Sequence, residues 1–218
     1  MHDADVPALV SRADSLLFLP GTRYAYSNTG YTLLALTVQQ VSGMPFATFL
    51  HDRIFAPLGM TRRVAHVEGS DTVPERAYGS GEADGRWSVT DQSSTSATLG
   101  DGGVYSNATD LAKWVQALWA TPLPGSELQE EAWTPYAFVN GTHGPYGYGW
   151  FVDSDRGHRR LSHHGETRGF TNGYVMYPDD RVAVIVLTNR SGGAPWELAQ
   201  QIADHELGLR GTPHKFDF

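Results

Sequence analysis

The chain contains no cysteine. That excludes disulfides, zinc–thiolate sites and a cysteine nucleophile, and it leaves the redox compartment unread. Lysine is nearly absent as well: Lys113 and Lys215 are the only two, and arginine supplies the rest of the positive charge. Positive charge is short overall. The net charge is −8, and an acidic chain repels phosphate backbones, so no nucleic-acid partner is expected. No apolar run reaches membrane-spanning length, so no membrane partner is expected either. The first twenty residues carry Asp3, Asp5 and Asp14, and the apolar patch at 16–19 is too short for a signal-peptide core. No His-Glu-x-x-His and no third histidine at ligand spacing are present, so neither a metal nor an organic cofactor is expected.

What remains is an ordinary globular composition: 218 residues, 40% hydrophobic and 18% charged, long enough to bury a core. Residues 1–19 read as an amphipathic lead-in, closed by the turn signal Pro20-Gly21. A helix follows Asn28-Thr29, with Tyr31, Leu34, Val38 and Val41 at helical spacing and Gly43 as its stop. Pro45 opens a second helix bearing Phe46, Phe49, Leu50 and Ile54. Residues 61–100 lack periodicity and read as loops with one short strand pair. Ser106 suits the N-cap of a helix carrying Leu111, Trp114, Val115 and Leu118, and 121–145 reads as loop again.

The last third changes period. Strands are expected at 148–152, in a stretch ending at His163, at 174–177 and at 182–187. The uniformly apolar 182–187 run suggests a strand buried on both faces. Short connections make an antiparallel meander. A final helix over about 195–209, with Trp196, Ala199, Ile202, Ala203 and Leu207 on one face, should lie on that sheet. The fold class expected is α+β: a helical lobe over about 16–125, then a sheet with its C-terminal helix over about 145–210.

Two clusters could carry chemistry. Tyr26-Ser27-Asn28 lies in a loop entering a helix. A tyrosine serves as a base only where nearby positive charge lowers its pKa from about 10, and Asn28 could hold a substrate carbonyl. Spacing alone favours the plainer view, a capping Asn28 and a packed Tyr26. His163-His164-Gly165 is the second cluster. Alternation lets only one of the two histidines face a given cleft, and the glycine permits close approach of a ligand. Alone, this pair reads as two surface histidines near a turn.

The ordered set of motifs says more. Phe18-Leu19-Pro20-Gly21-Thr22 leads to Tyr26-Ser27-Asn28-Thr29-Gly30-Tyr31. Val41-Ser42-Gly43, Pro57-Leu58-Gly59-Met60, Gly102-Gly103-Val104-Tyr105-Ser106 with Asp110-Leu111, and Tyr146-Gly147-Tyr148-Gly149-Trp150 follow. His163-His164-Gly165-Glu166-Thr167-Arg168-Gly169-Phe170 and Tyr177-Pro178-Asp179 complete it. This order and spacing resemble the class C β-lactamase-related family of serine hydrolases, with its D-Ala-D-Ala peptidases and esterases, over about 16–209. The resemblance implies roles. Tyr26 matches the family's base-like tyrosine and Asn28 the asparagine of the same motif. His163 and Gly165 match the His-x-Gly that stands for Lys-Thr-Gly. Glu166 begins the substrate-facing turn, and His164 points away from the cleft.

The resemblance also implies a gap. The family's nucleophile lies in Ser-x-x-Lys, one helical turn apart and upstream of the tyrosine. Here the residue three before Lys113 is Asp110 and three before Lys215 is Thr212, so the chain contains no Ser-x-x-Lys. Nor has it a Gly-x-Ser-x-Gly elbow. The expectation is one incomplete, truncated β-lactamase-like domain over 1–218, inactive alone, with a marginally stable fold and an unpaired last strand. An N-terminal complementing segment would be its partner, and a small-molecule ester, amide or β-lactam its substrate once completed. The competing expectations are half of a split enzyme and a non-catalytic peptide or cell-wall binding module. Localisation stays open.

Overall fold

A computed structural model describes residues 2–67, 72–90, 98–120 and 126–212. The helical part opens with a short helix α1 (Val6–Val10) and the longer α2 (Asn28–Ser42). Ser27 is extended, and its hydroxyl accepts from the Gly30 amide at 3.0 Å, while a left-handed Gly43 stops the helix. The capping duty thus falls to Ser27 and not to Asn28. The buried side of α2 carries Thr32 and Ala35, whereas Leu34 is 56% and Val41 83% exposed. Of the apolar stripe read from spacing, Leu34 and Val41 therefore face outward, while Tyr31 and Val38 are half-buried. α3 (Phe46–Leu50) runs on through a wider turn at His51–Phe55, which brings Phe55 against Met60 and Ala65. No single helix among the described residues is long and apolar enough to cross a membrane.

The stretch 61–100 holds more strand than one pair. β1 (Val64–Ala65) pairs with β4 (Val104–Tyr105), and β2 (Ser80–Ala83) with β3 (Arg86–Val89), both antiparallel. Its remaining parts at 68–71 and 91–97 lie outside the described residues. α4 (Ala108–Ala120) is capped by Asn107, whose side-chain oxygen accepts from the Asp110 amide at 3.0 Å, and not by Ser106. The loop expected over 121–145 contains a helix, α5 (Ser126–Ala132). Its sequence is polar and shows no apolar period. It is held by tertiary contact, with Gln129 donating to the Leu118 carbonyl at 3.0 Å and Trp133 entering the core just beyond it.

Four antiparallel strands form the main sheet in the order β5 (Phe151–Asp155), β6 (His158–Thr167), β7 (Phe170–Tyr177), β8 (Val182–Thr188). This is the meander expected from the short connections. β5 starts three residues later than the apolar run does, because Gly147 donates to the Trp150 carbonyl at 2.8 Å and turns the chain there. α6 (Pro195–Leu207) covers one face, with Ala199 and Ala203 packed on Val175 and Tyr177. Its first turn rests on the backbone of β7: a Cβ on Gly173 would stand 2.5 Å from the Trp196 amide nitrogen. Ile202, expected on the covered side, is 40% exposed. On the other face Leu161 and Met176 pack with Leu118 and Trp133.

A charged seam joins α6 to the sheet. Arg160 is fully buried; it donates to Asp153 at 2.8 Å and to the Gln200 carbonyl at 2.8 Å. Gln200 in turn donates to the Tyr177 hydroxyl at 2.7 Å, and Tyr177 donates to the buried Asp155 at 2.9 Å. Arg156 bridges Asp155 and Asp204. Burial pushes the Tyr177 phenol up to about 12, so it stays a donor. Replacing Arg160 with methionine strands Asp153 and Gln200 without their cation, and a loss of about 3–5 kcal/mol in urea unfolding is expected. A loss under 1 kcal/mol would show the seam to be dispensable.

β8 ends the sheet. The strand expected to be buried on both faces is half-buried instead, and Leu187 is 41% exposed. Val182, Val184 and Val186 face α6, while Ile185 and Leu187 face an open cleft. Its seven residues hold no charge and no proline, the residue types that blunt a sheet edge against pairing with another strand. Leu187→Lys is expected to reduce concentration-dependent light scattering while leaving the far-UV circular dichroism unchanged.

Candidate active site

Alternation along β6 sorts the site residues. Leu161, His163 and Gly165 lie on the cleft face, opposite Met176, Tyr174 and Asn172 of β7. Arg160, Ser162 and His164 lie on the α6 face. The His164 ring sits 5.5 Å from Trp196 on the α6 side, while the residue still borders the cleft. Glu166 pairs with Thr171 and shares the side of His164; it is solvent-exposed. The cleft has a volume of about 650 Å³. Phe170, Tyr174, Ile185 and Leu187 make its apolar floor, and His163, Gly165 and Asn172 lie along the same wall.

The segment before α2 brings Tyr26 to His163. The two ring centroids are 6.0 Å apart, although 137 positions separate them in sequence. Tyr146 stands 6.0 Å from Tyr26 and 5.9 Å from His163. Phe151 lies 4.8 Å from Tyr146 and packs flat against Tyr26 at 6.4 Å. Tyr24 adds a further ring at 5.7 Å from Tyr146. Asn28 follows Tyr26 by two residues, at the exposed start of α2. Tyr26 and His163 are therefore brought together, His163 and Gly165 line the cleft, Asn28 stands at the exposed start of α2, and Glu166 falls on the other side of the strand.

Tyr146 is the residue that the sequence alone did not single out. It occurs in Tyr146-Gly147-Tyr148-Gly149-Trp150, and its neighbour explains its position. A Cβ on Gly147 would stand 2.3 Å from the Ala132 carbonyl oxygen, so only glycine lets this segment pass the end of α5. Tyr146 is thereby pressed inward and buried.

The electrostatics are those of an uncharged aromatic nest. Burial, followed by the neighbouring Tyr31 and Asp101, raises the Tyr26 phenol above its usual value. Burial raises Tyr146 as well and pushes Tyr24 up to about 12. Burial lowers His163 below the usual imidazole value, so it is neutral at pH 7. Lys113 does not reach this cluster as a free cation. It is held at 2.9 Å by Asp110, and it donates to the Gly59 carbonyl. Among the described residues no group of three or more acidic or histidine side chains could hold a metal.

Comparison with known proteins bears on the family and the fold. Penicillin-binding protein 4* of Bacillus subtilis is 32% identical over 93% of this chain and 48% of its own length. A D-aminopeptidase of Brucella anthropi is 29% identical over 96% of this chain and 39% of its own length. Among solved structures, the octameric penicillin-binding protein homologue from Pyrococcus abyssi superimposes with a TM-score of 0.81 at 27% identity, covering 95% of this chain and 48% of that one. The chain thus spans about half the length of the relatives it matches, or less. The family model described as Beta-lactamase matches residues 7–207, and on that match the chain belongs to the beta-lactamase family.

Proposed function

We propose that residues 1–218 form one incomplete β-lactamase-like domain carrying one wall of an acyl-transfer pocket, completed by a segment that brings Ser-x-x-Lys. The observation that supports this most is the meeting of Tyr26 and His163, 6.0 Å apart, next to the open strand position Gly165 that lines the cleft. In this reading Tyr26 is the base, Asn28 holds a substrate carbonyl or orients the incoming lysine, and His163 lines the reacting end. Glu166 then acts only at the rim, where the β6–β7 turn meets solvent.

The physical case rests on what Tyr26 still needs. A phenol raised by burial is a poor base, and it becomes one only when a cation stands beside it. A lysine one helical turn from a serine supplies that cation and the attacking hydroxyl together. The apolar floor of Phe170, Tyr174, Ile185 and Leu187 suits the buried face of the helix that would carry them. The reaction is attack of the serine oxygen on an acyl carbonyl, release of the leaving group, and hydrolysis of the serine ester by water. The substrate class is a β-lactam, a D-amino-acid peptide or amide, or an ester. The D-aminopeptidase relative favours the amide of a D-amino acid among these.

The test is an assay of nitrocefin, a p-nitrophenyl ester and a D-amino-acid p-nitroanilide, with the chain alone and with an added Ser-x-x-Lys segment taken from a relative. The chain alone is expected to stay at background, because members of a coupled catalytic set fail together. The completed protein is expected to turn over at least one substrate and to take up a fluorophosphonate on the added serine. Tyr26→Phe in the completed protein is expected to lower kcat about 10²–10⁴-fold with unchanged circular dichroism. A covalent adduct on this chain by itself would overturn the proposal. So would a completed, folded protein that binds substrate without turnover, an outcome that supports a binding module.

A further inference from the structure

We propose that Tyr146 is a positioning residue for His163: its hydroxyl donates to Nε2 and holds the imidazole as the neutral Nδ1–H tautomer. The assignment rests on hydrogen-bond bookkeeping around the ring. His163 Nδ1 lies 2.6 Å from the carbonyl oxygen of His164. A carbonyl can only accept, so Nδ1 carries a proton. His163 Nε2 lies 2.8 Å from the Tyr146 hydroxyl. In the neutral ring Nε2 has only a lone pair to offer, so the phenol is the donor there. The order of donation is Tyr146 to His163, then His163 to the His164 carbonyl.

The other groups around the imidazole leave this arrangement in control. Tyr26 faces it from the segment before α2, Tyr174 stands opposite it on β7, and His164 is its neighbour on β6. Tyr26 and Tyr174 are both raised by burial and are uncharged at neutral pH. His164 is lowered by burial, so it too is neutral at pH 7. The His164 carbonyl keeps the proton on Nδ1, and the phenol of Tyr146, which occupies Nε2, sets how readily the ring takes up a second proton. A donor on Nε2 favours the neutral ring, because the proton that would charge it must go to that same nitrogen. In consequence His163 has no N–H to offer toward the cleft unless Tyr146 moves aside. The assignment takes its significance from the proposed acyl-transfer reading, but its test needs no turnover and survives the failure of that reading.

The experiment is long-range ¹H–¹⁵N correlation spectroscopy of the chain labelled with ¹⁵N-histidine, with His163 assigned by comparison with His163→Gln. The wild-type resonances are expected to show a protonated Nδ1 and an unprotonated Nε2 at pH 7, and a titration midpoint below 6.5. Tyr146→Phe is expected to raise that midpoint by roughly half a unit to one unit, a three- to tenfold gain in proton affinity. Tyr148→Phe, which removes an exposed hydroxyl bonded to Glu131, is expected to leave it unchanged. A wild-type Nε2–H tautomer would overturn the assignment without any variant. An unshifted midpoint in a folded Tyr146→Phe protein would overturn it equally, since a hydroxyl that merely packs would leave the titration where it was.

Discussion

The two-residue period of β6 is the constraint on which the rest depends. One strand must satisfy two unlike surroundings. Its even positions deliver Arg160 to a buried charged seam under α6, and its odd positions deliver Leu161 to the core and His163 to the cleft. A slip of one residue would put the guanidinium among Leu118, Trp133 and Met176 and turn His163 toward α6. Neither environment tolerates the exchange, so the register is held from both sides. The covering helix, the cleft and the aromatic nest all take their places from it.

The sequence showed the parts of this fold that repeat locally. The four-strand meander and α6 were legible because their apolar periods are short and their turns carry Gly, Pro and Asp. What it hid depends on distant partners. α5 has a polar sequence and is helical through Gln129 and the neighbouring Trp133, contacts that no local period records. The stripe of Leu34 and Val41 on α2 has the spacing of a buried face but is exposed, because burial is decided by what packs there. The same holds for β8. Its apolar run suggested cover on both sides, and it is half-buried because one of those sides opens onto the cleft. At the two caps the error was one of neighbours: Ser27 and Asn107 present their oxygens to the helix amides, while Asn28 and Ser106 stand one place away.

The site was legible in a similar way. Tyr26, Asn28, His163 and Gly165 stood out because they sit in recognisable motifs at the right order along the chain. Alternation alone sends the His164 ring to the α6 side, where it packs on Trp196, although the residue still borders the cleft. The same alternation carries Glu166 to the α6 side of the strand. Tyr146 escaped notice because its importance is a distance and not a pattern. It becomes visible only when the 136–150 segment folds across the end of α5 and sets a phenol against an imidazole. The raised Tyr26 phenol is likewise a property of surroundings, and its sign opposes the role that its motif suggests until a cation arrives.

The charged seam under α6 has a consequence for how this chain can change over generations. An oily seam of the same volume would hold the helix as well, since buried ion pairs are often replaceable by packed apolar groups without loss. Yet the route from one to the other is blocked step by step. Losing the guanidinium first takes the cation from beside Asp153, and losing the carboxylate first takes the anion from beside Arg160; the glutamine and the tyrosine are tied into the same network. Drift at positions 153, 155, 160, 177, 200 and 204 is therefore expected to be concerted or absent, so that descendants of this sequence inherit the network whole.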